Sequence, residues 1–481
     1  MVIRMIGWMI SGILLLLLAA ILIRTVMFRP ANEPALHPQE IMLDEAKIID
    51  DLAAMIRCKT VSNRDESLVD HMEFVKFQTL LKERFPTVHR HAKLTKIGKT
   101  GLLYHLRGQS AEKPSVCMAH YDVVPAEESG WDRPAFAGLV EGDMIWGRGT
   151  LDTKGTLCAL LEAAELLLKE GYVPKHDLYF SFSGEEEIDG ETCADIVDYL
   201  REKGIKPAIV LDEGGAVVDH VFPGVDRPCA VVGIGEKGSV NMDFVIESDG
   251  GHASTPPAHT ILGQLSQAVA SIEKHPFKRQ LTRPVKEMFD TLGRHSSLVY
   301  RMIFANLWCF LPLLDFICKK SGGELNAMMR TTVAVTRMEG SKAYNVLPPN
   351  AAFGANIRLL GDDTIESATK YLQRVIKNEK IRPRLVNGTN PSIYSDTSCE
   401  EWNTLKEVIA ETWPGTLVSP YLMMACSDSR HYCSITDRVY RFSAMQLSKE
   451  ERGMIHGNNE RVPVETMLTT VRFYVRLLQR L

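Results

Sequence analysis

Hydrophobic and polar positions change their rhythm several times along the chain. From Met5 to Ile23, 19 consecutive residues are uncharged and almost wholly apolar, enough to cross a hydrocarbon layer of about 30 Å as one helix. This predicts a single-pass anchor to a cell membrane over 1–29. A cleaved signal peptide, the competing reading, has a shorter apolar region and then a small-x-small site; here Ile21-Leu22-Ile23-Arg24 follows Ala19-Ala20. Arg4 on one flank and Arg24 and Arg29 on the other leave the orientation, and so the membrane face of the rest, open. Pro30, Pro34 and Pro38 among polar residues mark a linker over 30–44.

Beyond Asp44, Ile48, Leu52, Met55 and Ile56 recur at helical spacing, and a second helix is predicted from about Ser67 to Arg84. Apolar runs at 115–119, 178–182 and 208–211 then alternate with helical segments near 155–170 and 191–203, the signature of βαβ units and a parallel sheet. Near Gly235 the pattern changes. Strands at 240–247, 331–337, 351–359 and 382–387, with helices at 261–272 and 364–377, give the β-α-β-β-α-β order of a ferredoxin-like unit. The expected organisation is an α/β catalytic domain in two parts, 45–234 and 392–481, with an inserted α+β lid at 235–391. Within the lid, the connection 275–330 is unusually long and holds the apolar stretch Leu298 to Ile317. Arg301, Pro312 and Asp315 interrupt that stretch, which predicts a helical elaboration that packs on the lid or dips into lipid rather than a second span.

At 481 residues the chain exceeds one ordinary core. A net charge of -5 without a dense Lys/Arg tract excludes nucleic acid as the expected partner. The 10 cysteines are scattered singly with no Cys-x-x-Cys, so a disulfide framework is not supported.

Chemistry gathers at the strand ends. His120 and Asp122 close the first apolar run and, because strand side chains alternate, project from one side. Glu185-Glu186-Glu187 follows the second run and Asp212-Glu213 the third, while a glycine-rich turn, Gly147 to Gly155, carries Asp152 into a helix. Each has an ordinary explanation alone: an acidic triplet is commonly a solvated face, and Asp152 is a competent helix cap. At the carboxyl edge of one sheet, where such folds collect ligands, these carboxylates would repel one another unless protonated or neutralised by a cation. A metal centre resolves the conflict economically.

In this order, SVCMAHYDVVP, GRGTLDTKG, SGEEEIDG, VLDEGG, GGHASTPP, NVLPP and MIHGNNERV resemble the co-catalytic zinc family of aminoacylase-1, carboxypeptidase S, glutamate carboxypeptidase and succinyl-diaminopimelate desuccinylase. The anchor and extended lid look most like the carboxypeptidase S branch, which includes the N-fatty-acyl-amino-acid synthase/hydrolase type. The resemblance implies a mainly parallel-sheet zinc-exopeptidase fold with two zinc ions, cobalt or manganese being the other metals the ligands admit. It implies a bridging Asp152, with His120 and Asp212 completing one site and Glu187 and His456 the other. It assigns Glu186 as general base, with Asp122 supporting His120 or the neighbouring backbone. His252 and Asn345 would polarise the scissile carbonyl, and Arg358 would grip a substrate carboxylate. Where relatives commonly carry Gly-Gly-Thr, this chain has Ala425-Cys426-Ser427, with Ser427 expected to face substrate.

The expected protein is a membrane-anchored metallo-exopeptidase or aminoacylase acting on peptides with a free C-terminal carboxylate or on N-acyl amino acids. N-fatty-acyl amino acids are the narrower alternative, and a catalytically silent binding protein the alternative from another class. Monomer and homodimer both stand, since His252 could act in cis or from a second copy.

Overall fold

The computed structural model describes residues 2–30 and 39–481. Most of the expected linker, 31–38, lies outside the described residues. A helix over Val2–Met27 matches the apolar run, and its Met5, Trp8, Leu15 and Leu16 side chains are all exposed. The next helix, Glu45–Ile56, starts where Asp44 accepts the backbone N–H of Lys47, satisfying one of the free donors of a first turn. The helix expected from Ser67 starts later, over His71–Arg84, with Asp70 as its cap.

In chain order the longer strands are β1 (Ala92–Ile97), β2 (Gly101–Leu106), β3 (Ser110–His120), β4 (His176–Ser183), β5 (Ile209–Val218), β6 (Cys229–Glu236), β7 (Gly238–Glu247), β8 (Thr332–Glu339), β9 (Asn350–Leu359), β10 (Arg382–Gly388), β11 (Leu417–Met423) and β12 (Val439–Gln446). One sheet of 8 strands has the order β1-β2-β4-β3-β5-β12-β6-β11. Its centre is parallel, through β4–β3, β3–β5 and β5–β12, and its antiparallel pairings lie toward the edges. Leu178 to Ser183 are continuously buried in β4, as in a sheet covered on both faces. The helices Lys154–Lys169 and Val464–Leu478 pack together against this sheet, so the two expected catalytic segments share one core.

The second sheet has 4 strands in the antiparallel order β8-β9-β7-β10. With helices Ile261–Lys274 and Ile365–Ile376 on one face, this is the ferredoxin-like arrangement. Val240, Met242, Phe244 and Ile246 of β7 point inward at every second residue, and Phe244 stacks on Phe353 with ring centroids 4.7 Å apart. Alternation is clean here because only one face is covered.

The insertion between them departs from expectation. It forms helices over Arg283–His295, Leu298–Ala305, Leu307–Ser321 and Gly323–Met329. Its apolar side packs chiefly on β11 and the Phe222–Val225 segment of the catalytic body, through Val285, Met288, Phe289 and Phe304, rather than on the lid. Asn306 separates the second and third helices, which are bent by 107°; no straight second span forms there.

Candidate metal centre

Strand alternation sets the first ligand group. At the end of β3, Tyr121 turns into the core, stacking on Phe77 at 4.9 Å, while its hydroxyl donates to the Thr100 carbonyl. His120 is thereby held on the opposite side. Its Nδ1 lies 3.0 Å from the carbonyl oxygen of Asp122, and its Nε2 lies 2.8 Å from Asp152 Oδ1 and 3.5 Å from Glu213 Oε1. The ring therefore offers one nitrogen to the chain and the other to the site, the orientation that metal-binding histidines require.

Asp152 uses its second oxygen differently. Oδ2 lies 3.0 Å from His456 Nε2, which is also 3.0 Å from Glu187 Oε2. Two metal-capable groups result, His120–Asp152–Glu213 and Asp152–Glu187–His456, and Asp152 is common to both. The turn presenting it is seated by Glu460, whose carboxylate accepts the backbone N–H of Gly149 at 3.0 Å and of Leu151 at 2.8 Å and pairs with Arg148 at 2.6 Å. The Asp152–Thr153 peptide is cis.

Asp212 requires a correction. Its neighbour Glu213 stands in the first group instead, because adjacent residues of β5 point to opposite faces. Asp212 turns beneath the site, where it accepts the N–H of Ser429 at 3.1 Å and the hydroxyl of Ser427. Ser427 is corrected by the same network. Fully buried, with its hydroxyl 2.6 Å from Ser429 Oγ, it does not line the cleft, which is faced by Ala425 and Cys426.

The electrostatics ask for positive charge. Burial, followed by the Asp152 charge, pushes Glu213 well above the usual carboxylate range, and burial does the same to Glu186. Hydrogen bonds to Asp152 and then Glu187 draw the His456 imidazole up to about 10. Burial opposes charge on His120, but Glu213, Asp122 and Asp152 outweigh it and raise its pKa. One Glu187 oxygen is buried without a hydrogen-bond partner. Such a donor set of carboxylates and imidazoles fits divalent cations, which would relieve the repulsion and occupy the free oxygen.

The remaining expected residues divide into two places. Arg358, at the end of β9, faces Glu186, Glu187 and His456 across a recess of about 300 Å³. Its guanidinium is steadied by Asn356 at 3.1 Å and approaches Cys426 Sγ at 3.6 Å. His252 and Asn345 lie together on the lid, where Ala253 N–H donates to the Asn345 carbonyl at 3.0 Å. His252 is exposed, bonded to Ser254 Oγ at 2.7 Å, and lines a separate recess with Arg382 and Arg384. Sequence reasoning missed the role of Glu460: Asn-Asn-Glu-Arg carries no spacing that distinguishes a buried loop anchor from a solvated acid.

A second cavity of about 300 Å³ starts at Asp152, Glu186, Glu213 and His456 and continues along Val218, Val221, Val231, Tyr421, Met423 and Ile455. Its far wall, Val221 and Tyr421, backs onto the apolar cluster that contains Phe304 and Leu307 of the insertion.

Residues 116–480 match the family model described as Peptidase family M20/M25/M40. The chain is 33% identical over 484 residues to a probable carboxypeptidase S-like 2 of Dictyostelium discoideum, covering 98% of this chain and 93% of that protein. It is 33% identical over 477 residues to the N-fatty-acyl-amino acid synthase/hydrolase PM20D1 of Xenopus tropicalis, covering 97% and 93%. Among solved structures, an M20 family metallo-carboxypeptidase, Sso-CP2 from Sulfolobus solfataricus, superposes with a TM-score of 0.68 at 17% identity, over 91% of this chain and 99% of that one. The ordered motifs, the fold and the paired acidic-imidazole groups agree with these matches: the chain belongs to peptidase family M20/M25/M40.

Proposed function

We propose that this metallopeptidase-family hydrolase cleaves the amide bond of N-acyl amino acids, or of peptides with a free C-terminal carboxylate, at a centre of two divalent metal ions, zinc being the expected metal. The carrying observation is that the two carboxylate oxygens of Asp152 face two different histidines, at 2.8 and 3.0 Å. On this reading His120, Asp152 and Glu213 hold one ion, and Asp152, Glu187 and His456 the other.

When bound, such ions polarise a carbonyl and lower the pKa of water. Glu186, which lines the same cavity as Asp152, Glu213 and His456, takes the proton from the attacking water and passes it to the departing amine nitrogen. Arg358 pairs with the substrate carboxylate through its guanidinium fork. His252 and Asn345 meet the scissile carbonyl in a closed state, reached by lid movement or by supply from a second copy. Anchoring of the body to a cell membrane by Val2–Met27 belongs to the same proposal.

The apolar cavity lined by Glu186 and Glu213 favours a long acyl chain over a small peptide side chain on the acyl side of the carbonyl, opposite the departing amine. A silent binding protein gains no comparable support, since Glu186 and both acidic-imidazole groups stand together.

The test combines turnover with metal content. Glu186→Gln should lower kcat on N-acyl amino acids by about 100- to 10,000-fold with metal content unchanged. His120→Ala should lose mainly one ion, and Asp152→Ala both. Full activity of Glu186→Gln, or one ion retained by Asp152→Ala, would reject the assignment.

A further inference from the structure

We propose that the bent helix pair Leu298–Ala305 and Leu307–Ser321 is a foot embedded in the membrane surface, forming with the N-terminal helix one lipid-facing unit that seats the catalytic body on the bilayer. This rests on the reading of Val2–Met27 as an anchor.

The second helix of the pair is inside-out for a water-facing helix. Trp308, Leu313, Phe316 and Ile317 are 55%, 56%, 64% and 51% exposed. Its one acidic residue is on the inside, while Lys319 and Lys320 at its end are exposed: Asp315 is buried and pairs with Arg330, with Arg279 at 3.2 Å and with Lys319 at 3.1 Å. Water-facing helices put their polar residues outward, and apolar patches of this kind mark an interaction surface. On the first helix, Leu298 and Val299 are 69% and 63% exposed.

What covers this side is indicated by its neighbour. Asn306 at the elbow is fully buried, its amide donating to the Ile21 carbonyl and to Thr25 Oγ1, both at 3.3 Å. Arg24 Nε donates to the Ala305 carbonyl at 3.2 Å. The elbow is therefore level with Ile21 to Thr25, where the apolar run ends and Arg24 begins the polar flank. Polar side chains buried between apolar helices and satisfied by one another are what a hydrocarbon environment requires. Arg294, paired with Asp290, sits over the Phe28 ring at 4.5 Å beside this boundary, and Lys319 and Lys320 end the second helix, cations suited to headgroup phosphates. The two helices meet at a bend of 107°, and the proposed foot lies shallow, along the surface.

The full chain is reconstituted in vesicles of phosphatidylcholine and phosphatidylglycerol whose acyl chains are brominated near the carbonyl end, and tryptophan emission is measured. Trp8→Phe leaves Trp308 as the reporter of the foot, Trp308→Phe leaves Trp8 as the reporter of the anchor, and the double variant supplies the background of the other tryptophans. The expected result is loss of both reporters' emission relative to unbrominated vesicles, with Leu313→Glu/Phe316→Glu restoring that of Trp308 alone. Quenching of Trp8 without Trp308 overturns the foot and leaves the anchor; a water-facing patch covered by a second copy or a soluble partner would give this result. Quenching of Trp308 without Trp8 retains the foot and overturns the anchor, and quenching of neither overturns both.

Discussion

The carboxylate of Asp122 accepts the backbone N–H of Glu187 at 3.1 Å and that of Glu186 at 3.2 Å, while its Oδ1 lies 3.4 Å from His120 Nδ1. One buried carboxylate thus registers two loops, the end of β3 and the acidic turn after β4, against each other. Ser62 Oγ, at 2.7 Å, completes its partners. Asp122→Ala should therefore weaken metal binding by about 10- to 100-fold without unfolding the chain. Equilibrium dialysis with near-UV circular dichroism checks this, and unchanged affinity would remove Asp122 from the site.

The exchange of Asp212 for Glu213 separates two outcomes. Glu213→Ala should lose one metal ion while the chain stays folded. Asp212→Asn should keep both ions but lower thermal stability by about 1–3 kcal/mol, because the buried N–H of Ser429 loses a charged acceptor. Metal analysis and thermal unfolding of the two variants, run side by side, decide between them; the reverse pattern would return Asp212 to the ligand set.

Arg358 stands on the lid, yet its recess opens onto Glu186 and His456. Arg358→Ala should raise KM for substrates with a free carboxylate by roughly 10- to 150-fold, the value of a lost charged hydrogen-bonding pair. Matching C-terminal amides should change far less. Equal losses on both would show that the arginine serves packing instead.

Val221 lines the apolar cavity. Val221→Trp should leave short-chain N-acyl amino acids near their original kcat/KM and reduce long-chain ones, each methylene excluded from the wall costing about 0.8 kcal/mol. A chain-length series checks this. A uniform fall across the series would place the acyl group elsewhere.

Periodicity made most of the scaffold legible. The β-α-β-β-α-β order of the lid and the βαβ alternation of the body follow from hydrophobic spacing, because each strand buries one face or both and shows it. The joint placement of His120, Asp152, Glu187 and His456 was readable from strand-end chemistry and the resemblance together. Asp212 and Glu213 were not separable, because strand alternation assigns faces only once the register at the end of β5 is fixed. Ser427 failed for a related reason: a hydroxyl beside an expected subsite says nothing of its direction, and here Ser429 and Asp212 draw it inward. The partner of the insertion was also hidden, since an apolar stretch records that something covers it but not which surface.

Glu460 and His456 come from the last part of the chain, whereas the turn they hold, Gly149 to Asp152, comes from the first third. A chain still on the ribosome that has emerged as far as the lid carries His120, Asp152, Glu187 and Glu213 but neither the Glu460 clamp on the Asp152 turn nor the His456 imidazole. On the proposed site assignment, hydrolytic competence is thus postponed to the end of synthesis.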